Sequence, residues 1–461
     1  MIQKAQILLR DQKGLRWLML LLVALTMFAV YVVSDVFSPL KSMLEAQNEW
    51  NSMEYGLFSS AYSFLNVFLG MLILGGILLD KKGIRFTGLL SCILMVAGIA
   101  FKYWAVSNPE LIKSTIHLFG AEYKKQVVFA VLGYAVFGVG AEVAGISVSK
   151  AIVKWFKGKE LALAMGLQLS LARLGSAGAL AVAPMIAGAT GRVSTPVLVG
   201  LFLLVLGGLC FAVYALYDKK LDKQIAAEPK EEESSFSLKD VGAILKNPGF
   251  WHIALLCVLF YSAVFPFMKY ATDLMVNKFS VDPKLAGLIP SMLPFGAIIL
   301  TPLFGSIYDK VGKGANLMLL GATLITTVHV LFAAPFVHEW WMAVILMIVL
   351  GIGFSLVPSA MWPSLAKIMP EKQYGTAIAL TFFVQNIGLW GVPLLIGWVL
   401  DKYCITGTRV IDSLTINSYD YTLPMTLFAI VCGSSILVAL SLKRLNKKKN
   451  YGLQEANIKK N

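Results

Sequence analysis

The chain has 461 residues, 57% of them hydrophobic and 14% charged, with a mean hydropathy of +0.73. Soluble globular domains carry about 25% charged residues, so a soluble fold is excluded. The formal charge of +14 invites a nucleic-acid reading, which the positions of the basic residues remove.

Apolar runs of about 20 residues are long enough to cross the hydrocarbon core. Twelve follow one another, at 15–37, 56–79, 86–105, 127–149, 161–187, 196–217, 250–272, 285–307, 315–336, 340–364, 374–399 and 421–442. They predict an all-α membrane protein with twelve transmembrane helices. Lysine and arginine concentrate in cytoplasmic segments. With both termini inside, 28 of the 40 fall there, Arg173 lies within a span, and 11 lie outside. The charge is a topology signal: the lipid bilayer is a partner and nucleic acid is not. The first run is too long for a cleavable signal peptide.

Along the spans, a few polar residues interrupt the apolar pattern. Tyr62 and Asn66 in span two are four residues apart and share a helix face. Span four, VLGYAVFGVGAEVAGISV (131–148), holds Glu142 among Gly133, Gly138, Gly140 and Gly145, which permit close packing. Span five, LALAMGLQLSLARLGSAGALAVAPMIA (161–187), holds Gln168 and Arg173. Further on come Tyr261 before FPF, Trp362 before Pro363, and the pair Gln385 and Asn386. Amides and aromatics at these places suit a peptide unit, and each also suits plain interhelical packing. Lys269 and Asp273, near the outer end of span seven, read as rim charges or an outer gate. Pro290, Pro294, Pro358, Pro363 and Pro393 interrupt helix ladders and allow bending.

Glu142 and Arg173 are the most informative of these. A charge at membrane depth costs at least about 2.5–3.5 kcal/mol and persists where it meets a partner or a watery cavity. Counted from Lys150 and Glu160, they stand roughly 12 and 19 Å from the inner helix ends at 1.5 Å per residue. The offset of about 7 Å approximates one dipeptide from amine to carboxylate, since extended chain covers about 3.5 Å per residue. A carboxylate facing an ammonium and a guanidinium fork facing a carboxylate suit a zwitterion. The alternative is that the two pair with each other to make burial tolerable.

The chain divides at a polar, charge-mixed stretch, 218–249, with six spans on each side. This gives an N-terminal bundle (1–217), a cytoplasmic linker, and a C-terminal bundle with a basic tail (250–461). A motif repeats in the second inner turn of each half: GILLDKKGIR at 76–85 and GSIYDKVGK at 305–313. Both contain G-x-x-x-D-K-x-G, through Gly76, Asp80, Lys81 and Gly83, with Arg85 following, and through Gly305, Asp309, Lys310 and Gly312. Glycine permits close approach and a tight turn, and the aspartate can cap or charge-pair near a neighbouring helix end.

Two such tetrads in equivalent loops resemble the signature of the major facilitator superfamily. That resemblance implies two six-helix bundles rocking about a central site, with the tetrads as gating hardware. WFKGKELALAMGLQLSLARLGSAG (155–178), AYSFLNVFLGMLILGGILLDKKGIR (61–85), AVFPF (263–267), MWPSLAKIMPEKQYGTA (361–377) and FVQNIG (383–388) are similar to the lysosomal dipeptide uniporter branch and its bacterial relatives. The resemblance implies that Glu142 holds the amine and Arg173 the carboxylate of a dipeptide moving down its gradient. SDVFSPL (34–40) departs from the branch's aspartate-asparagine-proline form, and the outer loop 402–420 has no match.

No phosphate-binding G-x-x-x-x-G-K-[ST] loop occurs, and neither a cofactor nor a metal site nor an enzymatic constellation is expected. Rival readings are a proton-linked symporter of small organic anions, and a non-transporting scaffold or receptor. Leu8-Leu9 lack upstream acids and no N-x-[ST] sequon occurs. These absences point to a bacterial cytoplasmic membrane and to a monomer without an accessory subunit.

Overall fold

A computed structural model describes residues 8–118, 120–225, 238–411 and 414–457. The first half of the chain forms α1 (Lys13–Asp35), α2 (Lys41–Asn48), α3 (Ser52–Phe68), α4 (Met71–Ser107), α5 (Lys125–Trp155), α6 (Leu161–Thr190) and α7 (Thr195–Ile225). The second forms α8 (Leu238–Leu245), α9 (Pro248–Phe279), α10 (Leu288–Val311), α11 (Gly314–Ala333), α12 (Trp340–Ile368), α13 (Glu371–Tyr403) and α14 (Thr422–Lys449). Residues 226–237 of the expected linker lie outside the described residues, as do Lys4, Lys459 and Lys460; the linker's flanks are helical in α7 and α8.

Among the described residues, eleven helical segments are long and apolar enough to cross a membrane. The remaining crossing, expected as one run at 56–79, comes in two pieces. α3 begins at a capping box between Asn51 and Glu54 and ends at Phe68. Gly70 then turns left-handed (φ 59°, ψ 32°) before the chain resumes as α4. α4 runs on through the inner turn into span three, broken only at Gly83 (φ 78°, ψ 172°). Glycine alone takes these conformations without a Cβ penalty. Pro290, expected mid-span, falls in the first turn of α10, where its missing N–H forfeits no helical bond.

Helices are not quite the whole of the fold. Two antiparallel hairpins cover the outer end: β1 (Thr115–Leu118) with β2 (Ala121–Lys124), and β3 (Ile405–Ile411) with β4 (Leu414–Tyr419). The second occupies the outer loop that matched nothing.

At the outer end the two halves are bound together. Asp273 on α9 accepts from Lys41 Nζ (3.0 Å), Ser42 Oγ (2.6 Å), Arg409 Nη2 of β3 (3.0 Å) and Tyr421 Oη (2.5 Å). Lys41 also meets Glu45 at 2.6 Å, and Tyr419 of β4 donates to Glu45 at 3.0 Å. Lys269 donates to Ser34 O and Asp35 Oδ1 (2.8 Å each) and to Ser38 Oγ (3.1 Å). Asp401 of α13 accepts the N–H groups of Ser52 and Met53, the positive end of α3. A Cβ at Gly397 would lie 2.3 Å from Ser52 O, so α13 and α3 touch backbone to backbone. Two ion pairs join the halves at this end, Lys41–Asp273 and Lys269–Asp35.

The opposite end, expected to be cytoplasmic, is organised differently. Arg16–Glu160 (2.9 Å), Asp80–Lys150 (3.1 Å), Arg85–Asp222 (2.8 Å) and Lys154–Asp218 (2.8 Å) each join two residues of the first half. In the second half the chain after α14 folds back under the bundle. Leu453 is fully buried. Lys313 N–H donates to Gln454 O (3.0 Å) and Gly314 N–H to Leu453 O (2.9 Å). Lys367 Nζ reaches Gly452 O and Glu455 O, and Asn457 Nδ2 reaches Asp309 at 2.7 Å.

Candidate functional site

Close helix packing in the first half fixes the direction of Glu142. A Cβ at Gly138 would lie 2.0 Å from Tyr62 O, so α5 lies directly on α3. One turn beyond Gly138 on α5, the Glu142 carboxylate accepts a hydrogen bond from Tyr62 Oη at 3.1 Å. Glu142 is half-buried.

Arg173, on α6, is also half-buried. Its guanidinium lies among three aromatic rings: Tyr31 of α1 at 5.8 Å, Phe265 of α9 at 5.7 Å and Phe354 of α12 at 5.1 Å from the ring centres. Two of those rings come from the second half, so Arg173 faces the seam between the halves. Cation–π contact of this kind holds a guanidinium without neutralising it. Among the described residues no carboxylate lies within 4.0 Å of it, and the pairing of Glu142 with Arg173 is not formed.

The depth estimate needs correction. α5 continues to Trp155, five residues past Lys150. Counted from the observed helix ends, Glu142 and Arg173 stand about 20 and about 18 Å up, at nearly one level. Any zwitterion between them would lie across the bundle and not along its axis.

The softer candidates sort themselves. Tyr261 joins the Arg173 surroundings, its ring 5.3 Å from Phe265 and 6.4 Å from Phe354. Gln385 is buried and accepts from Cys257 Sγ at 3.3 Å, one turn from Tyr261 on α9. Trp362 lies against Phe382 (5.0 Å). Asn386 is buried; its Nδ2 donates to Phe382 O one turn back, while its Oδ1 has no partner. Asn66 is 1% exposed and neither its Oδ1 nor its Nδ2 has a partner; a buried amide left so is costly, which marks a place for a ligand group or water. Gln168 is buried on α6.

Sequence reasoning missed Tyr31, Phe265 and Phe354 as neighbours of Arg173. Phe265 stood in the AVFPF string, but an aromatic in an apolar span does not announce its direction.

The two G-x-x-x-D-K-x-G tetrads also separate. Asp80 pairs with Lys150, five residues before the inner end of α5, and Arg85 with Asp222, while Gly83 makes the turn. Gly76 and Gly305 have open space where a Cβ would stand. Asp309 takes Asn457, and Gly312 (φ 73°) lies against Gln454 and Ala456, so the second tetrad is engaged by the tail. Lys81 and Lys310 are exposed.

The chain matches the Major Facilitator Superfamily over residues 19–393 and 272–456. Its relatives include the lysosomal dipeptide transporter of Danio rerio, 31% identical over 402 residues, which are 84% of this chain and 81% of the relative. That of Mus musculus is 29% identical over 386 residues, 81% and 78% of the two chains. A crystal structure of the nucleoside transporter NupG superposes with a TM-score of 0.65 at 16% identity, covering 93% of this chain and 99% of the other. That likeness speaks for the fold alone. Matched along most of its length, with twelve crossings and the outer ends of its two halves closed on each other, the chain is a transporter of the Major Facilitator Superfamily.

Proposed function

We propose that the chain is a dipeptide uniporter in which two six-helix bundles, 1–217 and 250–461, rock about a central site, with 218–249 as the cytoplasmic linker between them. The reading rests foremost on one observation: Glu142 and Arg173 are half-buried on consecutive helices, a similar number of residues from the helix ends, and no ion pair joins them among the described residues. Two opposite charges left so at membrane depth need a ligand carrying the complementary pair. Glu142 would take the ammonium, with Tyr62 orienting its carboxylate. Arg173 would take the carboxylate, its aromatic surroundings keeping water away and strengthening the contact. Asn66, Gln168, Tyr261, Trp362, Gln385 and Asn386 are the remaining lining candidates, with Asn66 best placed for the peptide amide.

The names of the relatives supply the cargo class, dipeptides. Uniport is the reading because Glu142 is a single carboxylate with a tyrosine partner, and no run of acids and histidines continues from it among the described residues. Asp80 and Asp309, with their glycines and basic neighbours, remain gating residues in this scheme. For the membrane, the relatives' names favour a lysosomal one over the bacterial cytoplasmic membrane expected from the missing acids and sequons. A monomer needing no accessory subunit completes the proposal.

Counterflow of dipeptide into proteoliposomes tests it. Exchange should survive collapse of the pH gradient, N-acetylated dipeptides should fail to compete, and Arg173→Ala should abolish uptake. Competition by simple carboxylates, with loss of exchange when the gradient collapses, would favour the organic-anion symporter instead.

A further inference from the structure

Asp35 stands where the outer closure meets the Arg173 site. Near the outer end of α1, its Oδ1 accepts from Lys269 of the second half at 2.8 Å, and its Oδ2 accepts from Ser176 Oγ of α6 at 2.5 Å. Two stacks of side chains define what lies beneath it. On α1, Tyr31 is one turn below Asp35; on α6, Arg173 is three residues, about 4.5 Å, below Ser176. The lower pair meets as the upper pair does, Arg173 lying 5.8 Å from the Tyr31 ring centre. Arg173 is therefore about one turn from Asp35, in the same half of the chain, and without a carboxylate within 4.0 Å among the described residues.

When the outer end opens, Lys269 must leave with the second half. An uncompensated carboxylate at this depth is costly. We infer that Asp35 is a positioning residue exchanged between two cations: Lys269 holds it while the outer end is closed, and Arg173 takes it when Lys269 withdraws. The inference rests on the dipeptide reading given above.

The exchange links cargo to closure. In the outer-open state Arg173 is occupied by Asp35 and the empty site carries no free guanidinium. An arriving dipeptide displaces Asp35 with its own carboxylate. The released Asp35 then recaptures Lys269 and draws the outer ends together. Lys102 is the rival partner in the first half, but its Nζ is fully buried and lies over the rings of Phe37, Phe58 and Tyr134 at 4.7, 5.4 and 4.5 Å.

The test compares a dipeptide with its C-terminal amide, which lacks the carboxylate, binding to the purified full chain. Wild type should prefer the dipeptide by tenfold or more. In K269M the ratio should fall toward one, because Asp35 now occupies Arg173, and in D35N/K269M it should recover. K269Q, which keeps a donor at the closure, serves if K269M does not fold. A merely structural role for Asp35 would move both ligands together and leave the ratio unchanged, overturning the exchange. A ratio that stays collapsed in D35N/K269M overturns it too, as does capture by Lys102, which leaves the K269M ratio at the wild-type value. Each of these spares the dipeptide reading, whereas absence of any preference in wild type ends both.

Discussion

At the outer end, Lys41 and Asp273 are each 1% exposed and join residues 232 positions apart, whereas at the cytoplasmic end Asp80 and Lys150 are 33% and 30% exposed and stay within one half. The two kinds of pair do different work. Removing one partner from a buried pair costs about 3–5 kcal/mol because the other charge is left uncompensated. Half-exposed pairs contribute about 0–1 kcal/mol. In the closed arrangement seen here, the buried pairs at the outer end therefore outweigh these half-exposed ones, each of which orients helices within one half.

The sharpest way to break this contrast is Asp273→Ala. It leaves Lys41 with Glu45 alone and takes from Arg409 its carboxylate partner, and the outer closure should weaken by about 3–5 kcal/mol. Spin labels at the outer ends of α3 and α13 should move apart; distances that stay at the wild-type value would show that the closure does not depend on this cluster. Next comes Gly397→Val. Its side chain would meet Ser52 O, where even a Cβ lies at 2.3 Å, and should cost about 1–3 kcal/mol. The same label pair should lengthen, with the thermal midpoint reduced.

Asp80→Asn tests the other side of the comparison. The loss should stay within about 1 kcal/mol, leaving dipeptide affinity intact while the exchange rate falls, as expected of gating hardware. A large drop in melting temperature would mean that the inner pairs carry more than their exposure suggests. The smallest effect belongs to Glu160. Its own main-chain N–H, and after it the Arg16 guanidinium, hold the carboxyl below its usual range. Stability from a depressed carboxyl is present above its unfolded value and lost as pH falls through the folded one. Glu160→Gln should therefore leave the melting temperature slightly lower at pH 7 and indistinguishable from wild type in strong acid; a difference that grows on acidification would refute the assignment.

Much of the architecture was written in composition. Twelve apolar runs, a basic bias and a repeated tetrad suffice for the crossings, because bilayer thickness and hydration of charge act on each span separately. Glu142 and Arg173 announced themselves for the same reason. What stayed hidden depends on partners distant in sequence. The break at Gly70 looks like one more small residue in an apolar run. Arg409 and Tyr419 sit in a polar loop that gives no sign of reaching Asp273 and Glu45. Lys269 and Asp273 were legible as outer-end charges, but not which residues they would grip. The depth of Glu142 depends on where α5 ends, and Lys150 gives no sign that the helix runs on to Trp155.

The strand of chain running from Tyr451 to Asn457 has a practical bearing on anyone labelling this transporter. It is clasped to the turn between α10 and α11 by main-chain bonds from Lys313 and Gly314 and by Asn457 at Asp309. A fluorescent fusion or affinity handle attached just beyond it would pull on that turn each time the carrier cycles. Turnover numbers from a chain tagged there and from the untagged chain should not be pooled.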